Sequence, residues 1–462
     1  MTRFDLAVIG GGPGGYVAAI RAAQLGLKVC IIEKEKLGGV CLNWGCIPTK
    51  SLIKNAEVYS LIKHSGNYGI KVQNISIDFK KNVKRSRDIS QRLSKGIEFL
   101  IKKNKIKHLN GIGRLKSKNN IEVNSNGKTY IVDTDKIIIA TGARPKTFPG
   151  LDFDAENVIS SKDAMLLENP PKDLIIVGSG AIGVEFAYYF NEFGTKVHIL
   201  EMMDRILPNE DKEVSEEVEK NFKKSGIKIT KGVKVSKIQS MKQNAKVFLK
   251  NKTTEEIIKA EKVLLAVGVT GNVNNIGLED LGIETEAGAI KTDNLNRTNI
   301  DNIYAIGDVC GPPWLAHVAS AQGHIAAEHS AGFNVSPIDY SNIPGCTYCQ
   351  PQVGSLGMTE EEALSSGFKI KVGKFSFQAS GKAMAVGDTL GFVKLIFDEK
   401  YGELLGAHIV GSEATEMIAE LGIAKALEAT WDDLFMTVHA HPTLSEAIME
   451  AAMDAQGRSI HQ

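Results

Sequence analysis

Two cysteines separated by four residues are the first feature of this sequence that could do chemistry. Cys41 and Cys46 lie in the glycine-containing segment 38–50, and Lys50 follows Cys46 by about one helical turn. A lysine ammonium at that spacing can stabilise a thiolate, which is the reactive form of a cysteine. The pair is therefore a candidate redox-active disulfide, and two separate buried thiols are the alternative.

Backbone geometry limits how the two sulfurs could join. On an ideal helix, Cα atoms five residues apart lie roughly 8–9 Å from each other. That separation exceeds the limit of about 7 Å for a disulfide. A bridge between Cys41 and Cys46 therefore requires an interrupted helix, which Gly45 can supply. A tight ring of this kind is more easily reduced, as a catalytic disulfide must be.

A histidine and a glutamate near the C-terminus form a second candidate group. The sequence predicts that Pro442 starts a helix and that Glu446 lies on its next turn. The carboxylate would then hold one ring nitrogen of His441 and leave the other free to act as a base. The spacing alone is modest support, because an isolated His-Pro is more often a surface histidine.

An internal repeat supplies elements that could position these groups. Each copy has a short apolar run, three glycines, a helix and an acidic residue, which is typical of a parallel strand leading into a dinucleotide site. The first glycine makes a tight turn, the second admits a pyrophosphate and the third lets the helix pack on the strand, while the acid accepts ribose hydroxyls. The matched positions are Gly10, Gly12, Gly15 and Glu33 in one copy and Gly178, Gly180, Gly183 and Glu201 in the other.

The acid of the second copy also bears on which nicotinamide cofactor binds. The carboxylate of Glu201 would repel a 2′-phosphate, which calls for an arginine instead. NAD is therefore favoured over NADP, although Arg205 lies nearby in the sequence. The alternative for both copies is a packing motif that binds no cofactor.

The rest of the chain is organised around further apolar runs. Residues 137–140, 263–268 and 303–306 predict buried strands, and residues 88–105 predict an amphipathic helix, with a basic nucleic-acid-binding helix as a minor alternative. From about residue 338 the pattern changes. Period-2 segments at 369–377 and 391–397, followed by helical stretches at 414–428 and 445–453, predict a separate α+β module.

Composition excludes several classes of protein. Lys and Arg number 55 against 54 Asp and Glu, so no overall charge recruits nucleic acid or an acidic membrane. Six cysteines are too few for a secreted disulfide scaffold. The C-x₂-C at Cys346 and Cys349 has no second pair, so we expect ordinary strand thiols and no metal site. Without a targeting or membrane-spanning segment, a cytoplasmic location is expected.

With both glycine repeats, the cysteine pair, Gly307-Asp308 and His441-x₄-Glu446 in this order, the sequence resembles the pyridine nucleotide-disulfide oxidoreductases over essentially its whole length. It looks most like those members that oxidise dihydrolipoamide. The resemblance implies an α/β fold with two Rossmann-like dinucleotide-binding domains and an α+β C-terminal dimerisation domain. The implied limits are 1–146 for an FAD-binding domain, 147–269 for an NAD-binding domain, 270–336 for a central domain completing the FAD site, and 337–462 for an interface domain of a homodimer.

The resemblance also implies roles for individual residues. His441 of the partner subunit would deprotonate the dithiol, Cys41 would exchange with it, and Cys46 would face the flavin. Lys50 would lie near the flavin and pair with Glu185, and Glu446 would orient His441. Further implied contacts are Gly113, Thr141, Gly142, Ala143, Asp308, Trp314, Leu315, Ala316 and His317 around FAD, and Val235 and Gly268 near NAD.

Partners and rivals follow from the same resemblance. The implied partners are the lipoyl domain and the subunit-binding domain of a 2-oxoacid dehydrogenase complex. The nearest rival is an NADPH-dependent glutathione-type reductase, against which Glu201 argues. From another class, the chain could act mainly as an assembly subunit of such a complex.

Overall fold

The computed structural model describes residues 3–250 and 255–461. Its first unit is a sheet with a parallel centre. The apolar run in Arg3–Ile9 is buried on both faces, because helices cover one side of the sheet and apolar residues of the strands at 112–125 and of the segment 276–290 pack on the other. The strands are, in spatial order, Lys107–Asn110, Val29–Glu33, Arg3–Ile9, Lys128–Ile139, Asn120–Ser125 and Ile112–Ser117. The helices of this unit are Pro13–Gln24, Gly39–Trp44, Cys46–Lys63 and Phe79–Lys103, with a 3₁₀ turn at Ser65–Tyr68.

The long strand Lys128–Ile139 joins two kinds of pairing. Its first part pairs antiparallel with Asn120–Ser125, and its last part pairs parallel with Arg3–Ile9. The strand Ile303–Ala305, from much later in the chain, also pairs parallel with this last part. The helix that follows it, Ala316–Ser330, packs on Pro13–Gln24. The first unit is therefore completed by a distant segment.

The second unit repeats the parallel pattern. Its strands are, in spatial order, Lys228–Thr230, Lys196–Leu200, Asp173–Val177, Lys262–Leu265 and Val158–Ile159. Its helices are Ser161–Ala164, Ala181–Glu192 and Lys212–Lys224. An antiparallel sheet of Lys234–Ser240, Ala245–Lys250 and Glu255–Ala260 packs beside them. Short strands at Ala143–Pro145 and Val269–Gly271 pair where the chain enters and leaves this unit.

The segment between the second and third units contains little regular secondary structure of its own. Its elements are the helix Leu278–Leu281, the strands Thr285–Glu286 and Ala289–Ile290, and the 3₁₀ turn Gly307–Cys310. The third unit is an antiparallel sheet in the order Gly345–Thr347, Gln352–Gly357, Leu404–Gly411, Phe392–Asp398 and Ile370–Ser376. Its helices are Glu360–Ser365, Gly381–Val386, Ala414–Ala426, Trp431–Met436 and Glu446–Asp454, with 3₁₀ turns at Tyr340–Asn342 and Phe377–Ala379.

This architecture confirms the predicted fold class and most of the predicted elements, but it changes some limits. The amphipathic helix begins at Phe79 rather than near residue 88, because the Asp78 side chain caps it by accepting the Lys81 N–H. The run at 137–140 is only the end of Lys128–Ile139. None of the helices in the described ranges is long and apolar enough to cross a bilayer.

Candidate active site

The cysteine pair lies at a break between two helices. Cys41 belongs to the helix Gly39–Trp44, and Cys46 is the first residue of Cys46–Lys63. Gly45 separates them with φ −143° and ψ −116°. A Cβ on residue 45 would lie 3.2 Å from the Val40 carbonyl oxygen, which is closer than a side chain normally packs. The interruption that a disulfide requires is therefore present where the sequence predicted it.

The two thiols differ in acidity. Both are free in this structure and share a hydrogen bond. The hydrogen bond from Cys41 lowers the pKa of Cys46 to about 7, against the effect of burial and with help from the Lys50 charge. The same bond, together with burial, raises the pKa of Cys41. Cys46 also begins a helix, where the dipole favours negative charge. Cys46 is thus the more acidic thiol of the pair.

An ion pair beside the cysteines joins the first and second units. Lys50 Nζ lies 2.9 Å from both carboxylate oxygens of Glu185, which is on the helix Ala181–Glu192. Glu185 is buried, and its Oε1 also accepts the backbone N–H of Tyr348 at 3.0 Å. The Lys50–Glu185 pair that the resemblance implied is therefore formed, with a residue of the third unit against it.

The His441–Glu446 pair is formed as well, but with a different local structure from the predicted one. His441 Nδ1 lies 2.8 Å from Glu446 Oε1, and Thr443 N–H donates to Oε2 at 2.7 Å. Partial burial opposes ionisation of Glu446, but these two hydrogen bonds hold its pKa below the usual value. Because a carboxylate only accepts, Nδ1 carries the proton and Nε2 is free to act as a base.

The prediction that Pro442 starts a helix is wrong. The helix Glu446–Asp454 begins four residues later, and Thr443 is held in a loop by its hydroxyl bond to the Ala440 carbonyl. Glu446 therefore reaches back from the first residue of the helix. The His441 side chain is 79% exposed, and no hydrogen bond or ion pair in the described ranges joins it to Cys41 or Cys46.

A second histidine–glutamate pair holds this loop and was missed from the sequence. His439 Nε2 lies 2.7 Å from Glu420 Oε1, and its Nδ1 lies 2.9 Å from the Thr437 carbonyl oxygen. Only 5% of the His439 side chain is exposed. Its spacing of two residues from His441 was a signal in the sequence, but nothing there pointed to Glu420.

The first glycine cradle fits a dinucleotide. Gly10 has φ +107°, which makes the tight turn, and a Cβ on Gly15 would overlap the Gly10 carbonyl oxygen. A Cβ on Gly12 would meet nothing nearer than 3.8 Å, so the backbone there is open at the start of the helix Pro13–Gln24. An open helix N-terminus suits a phosphate. Glu33 lies beside it and accepts the N–H of Gly11 at 2.7 Å, with lone pairs remaining for ribose hydroxyls.

The second cradle has the same geometry. Gly178 has φ +98°, a Cβ on Gly183 would overlap the Gly178 carbonyl oxygen, and Gly180 has nothing within 4 Å. Glu201 Oε2 accepts the Ser179 N–H at 2.9 Å and its hydroxyl at 2.6 Å. Each glycine thus has the packing environment that its proposed part in a dinucleotide site requires.

Arg205, the residue that could have favoured binding of NADP, forms an ion pair away from Glu201. Its Nη2 lies 2.8 Å from Glu361 Oε2 in the third unit. The carboxylate of Glu201 stays at the end of its strand, with Oε1 accepting the Met203 N–H at 2.8 Å. This arrangement favours NAD, because a 2′-phosphate would meet the Glu201 carboxylate, and Arg205 is already paired with Glu361.

Comparison with known protein families agrees with this geometry. Residues 4–323 match the pyridine nucleotide-disulphide oxidoreductase family, and residues 343–452 match its dimerisation domain. The chain belongs to this family. Its fold and its membership of a class of flavoprotein disulfide oxidoreductases are thereby established, and members of this class use FAD and NAD(H). The dimerisation domain supports a homodimer.

Several relatives that match over their full length are dihydrolipoyl dehydrogenases. The chain is 47% identical to a dihydrolipoyl dehydrogenase of Chlorobaculum parvum, over 98% of this chain and 97% of that protein. It is 46% identical to one of Zymomonas mobilis, over 99% of each, and 43% identical to one of Bacillus subtilis, over 100% and 99%. Among solved structures, LpdA of Mycobacterium tuberculosis gives a TM-score of 0.91 at 26% identity, over 98% and 99% of the two chains.

Other candidate FAD contacts of this family member lie around the first sheet. Asp308 is in the 3₁₀ turn after the late strand; burial raises its pKa, and within the described ranges no hydrogen bond to its carboxylate is formed. Such an acceptor fits ligand hydroxyl groups. Thr141 Oγ1 instead donates to the Asn272 carbonyl, and burial lowers the pKa of His317. The remaining positions are Gly113 in a strand, Gly142 and Ala143 at the crossing, and Trp314, Leu315 and Ala316 at the start of the helix Ala316–Ser330.

The other singled-out positions lie in the second and third units. Val235 points into the core of the second unit and Gly268 has φ +99°. Cys349 is fully buried and Cys346 is half-buried. Within residues 3–250 and 255–461, no group of three His, Cys, Asp or Glu side chains is placed to hold a metal ion.

Proposed function

We propose that this protein oxidises protein-bound dihydrolipoamide and reduces NAD⁺ through the Cys41–Cys46 pair and FAD. The observation that carries the proposal is the acidic Cys46 thiol at a helix N-terminus, beside the Lys50–Glu185 ion pair. The names of the full-length relatives support the choice of substrate. The two open glycine cradles support one dinucleotide in each parallel unit.

The residues of the chain divide the reaction among them. His441 of the partner subunit takes a proton from one thiol of the substrate through Nε2, while Glu446 holds Nδ1. The substrate thiolate attacks the sulfur of Cys41, and the Cys41–Cys46 bond breaks. Cys46 leaves as a thiolate, which Lys50 and the helix N-terminus stabilise.

The second substrate thiol completes the exchange. It attacks the substrate sulfur of the mixed disulfide, the bond between that sulfur and Cys41 breaks, and its proton passes to Cys41, so that oxidised lipoamide leaves and Cys41 becomes a thiol. The dithiol has then lost two electrons and two protons, and the cysteine pair has gained the electrons. FAD, when bound, accepts two electrons from a dithiol pair and supplies a hydride to NAD⁺.

The proposal extends to the remaining assignments. The separate sheets support the domain limits 1–146, 147–269, 270–336 and 337–462. The late strand Ile303–Ala305, which pairs in the sheet of the first domain, supports the assignment of 270–336 as the segment that completes the FAD site. The lipoyl and subunit-binding domains of a 2-oxoacid dehydrogenase complex are the proposed partners, in the cytoplasm. The proposed FAD contacts are Gly10, Gly12, Gly15, Glu33, Lys50, Gly113, Thr141, Gly142, Ala143, Asp308, Trp314, Leu315, Ala316 and His317, and those for NAD are Gly178, Gly180, Gly183, Glu201, Val235 and Gly268.

A steady-state assay tests the proposal against its rivals. The purified protein should reduce NAD⁺ with dihydrolipoamide far faster than it oxidises NADPH with glutathione disulfide, because Glu201 disfavours a 2′-phosphate. The opposite preference would establish the glutathione-type reductase. If protein that retains flavin turns over neither dihydrolipoamide with NAD⁺ nor glutathione disulfide with NADPH, the assembly-subunit alternative would be favoured.

A further inference from the structure

Tyr348 contacts both members of the Lys50–Glu185 pair, although nothing in the sequence gave it a chemical role. Lys50 Nζ lies 4.4 Å from the centroid of the Tyr348 ring. The Tyr348 backbone N–H donates to Glu185 Oε1 at 3.0 Å. One residue of the third unit thus holds the ammonium with its ring and the carboxylate with its main chain.

The position of Tyr348 is fixed by its neighbours in the chain. The strand Gly345–Thr347 precedes it, and Cys349, which follows it, is fully buried in the core cluster that contains Phe186 and Tyr189. The Tyr348 side chain also lies beside the Cys346 thiol. The ring therefore forms a fixed surface for the lysine, and a cation–π contact is stronger where part of the water is excluded.

The charges around Cys46 make the placement of the lysine important. Besides Cys41, burial and a backbone hydrogen bond, two charged groups act on the Cys46 thiol: the Lys50 ammonium, which favours the thiolate, and the Glu185 carboxylate, which opposes it. The Lys50 side chain is 31% exposed, so water competes for it. If the ammonium moved away into water, Cys46 would keep the unfavourable carboxylate and lose the favourable cation.

We propose that Tyr348 is a positioning residue that holds the Lys50 ammonium beside Cys46 and thereby stabilises the reduced form of the Cys41–Cys46 pair. This inference rests on the proposed function, in that the pair must cycle between disulfide and dithiol. Stabilising the reduced form makes a disulfide more oxidising. Tyr348 therefore acts on the redox equilibrium through Lys50, without touching the reacting sulfurs.

The experiment measures that equilibrium in the holoenzyme. The protein is equilibrated with mixtures of reduced and oxidised dithiothreitol, quenched with acid, alkylated under denaturing conditions and weighed to count thiols. In each exchange the buffer dithiol loses two electrons and two protons to become a disulfide, and the cysteine disulfide gains them to become two thiols. Thiol counting does not depend on turnover with substrate or on access to the folded site.

The variants separate the ring from the rest of the side chain. Near pH 8.5, Tyr348→Leu should shift the exchange constant towards the disulfide by about threefold or more, the effect of losing a cation–π contact. Tyr348→Phe keeps the ring and should match the parent. Near pH 5.5 the proteins should converge, because a Cys46 thiol with a pKa of about 7 is protonated in all of them.

Two further variants show whether the effect passes through the lysine. In a Lys50→Met background, Tyr348→Leu should cause no additional shift. Tyr59→Leu is the matched control, because Tyr59 also faces a lysine, Lys63, at 5.0 Å but away from the cysteines. If leucine at 348 prevents folding, Tyr348→Met removes the aromatic face with less change in length.

The outcomes are distinct. Equal constants for the parent and Tyr348→Leu near pH 8.5 would overturn this inference alone. So would a shift of the same size at both pH values, a shift in Tyr348→Phe, or a shift that persists with Lys50→Met. A pair that never gains or loses thiols in any protein would overturn the proposed function, and this inference with it.

Discussion

At the scale of single residues, the two chemical groups are each built from a reactive side chain and a partner that fixes its charge. Cys46 has a hydrogen-bond donor in Cys41 and a neighbouring cation in Lys50. His441 has an acceptor in Glu446, which leaves Nε2 free. The sulfur and the imidazole can therefore be tested separately, because one receives electrons and the other moves a proton.

Replacement of His441 by glutamine should slow the half-reaction with dithiol by about 10²- to 10⁴-fold, the usual contribution of a general base. Flavin content should not change, because the side chain is exposed and lies outside both glycine cradles. Stopped-flow reduction by dihydrolipoamide measures the rate. His64→Gln, at another exposed histidine, is the control, and a rate unchanged from the parent would remove His441 from the mechanism.

At the scale of elements, the glycines of each cradle divide into two kinds. Gly15 and Gly183 lie where a Cβ would overlap a backbone carbonyl, whereas a Cβ on Gly12 would make only an ordinary contact at 3.8 Å and one on Gly180 would meet nothing within 4 Å. The first kind allows a helix to pack closely on its strand, and the second leaves room for a ligand. Substitutions should therefore affect folding in one case and binding in the other.

Gly12→Ala should lower FAD affinity while leaving the thermal unfolding midpoint of the apoprotein almost unchanged. Gly15→Ala should lower that midpoint clearly, because the methyl group must push helix and strand apart. Calorimetry of the apoprotein and titration with FAD measure the two effects. Equal destabilisation by both substitutions would contradict this division.

Some of these elements could be predicted from the sequence and others could not. Strands such as Asp173–Val177 and both cradles were predictable, because their signals are local runs and spacings. The break at Gly45 followed from the reach of a disulfide. The contacts of Tyr348 and Glu420 were not predictable, because they depend on how separate units or distant helices pack, and no spacing in the sequence encodes that packing.

At the scale of the whole molecule, a buried lysine and the carboxylates around it join the second and third units. Lys394 Nζ lies 2.9 Å from Asp211 Oδ1 and 2.6 Å from Glu360 Oε2, and the Lys394 and Asp211 side chains are 2% and 1% exposed. Burial opposes ionisation of Asp211, but the Lys394 hydrogen bond and charge hold its pKa below the usual value. The contribution of this carboxylate to stability is therefore present above its unfolded pKa and is lost as the pH falls through the lower folded value.

Lys394→Met should reduce the free energy of unfolding by about 3–5 kcal/mol at neutral pH, because it leaves the Asp211 carboxylate buried without its cation. The deficit should shrink near pH 3, where protonation removes that charge. Urea unfolding at the two pH values measures it. Lys84→Met, in an exposed pair with Asp88, should change stability by less than about 1 kcal/mol. A deficit that does not vary with pH would contradict the role assigned to Asp211.

The homodimer gives a second prediction at this scale. Two apolar side chains of the segment that leads to His441 are strongly exposed in the single chain: Val438 is 95% exposed and Met436 72%. Exposed apolar side chains of this kind are typical of an interface. Val438→Asp should therefore shift the protein towards monomers in analytical ultracentrifugation. Met384→Asp, at an exposed methionine elsewhere in the third unit, is the control, and a dimer unaffected by Val438→Asp would place the interface on another face.

The late strand Ile303–Ala305 has a consequence for biosynthesis. The neighbouring strands of its sheet are translated early, yet the sheet is finished only when residues 303–305 have emerged from the ribosome and paired with Ile137–Ile139. At ordinary elongation rates the wait is on the order of ten seconds. Nascent chains stalled before residue 303 should therefore fail to retain flavin, so FAD can be loaded only after the strand Ile303–Ala305 has been made.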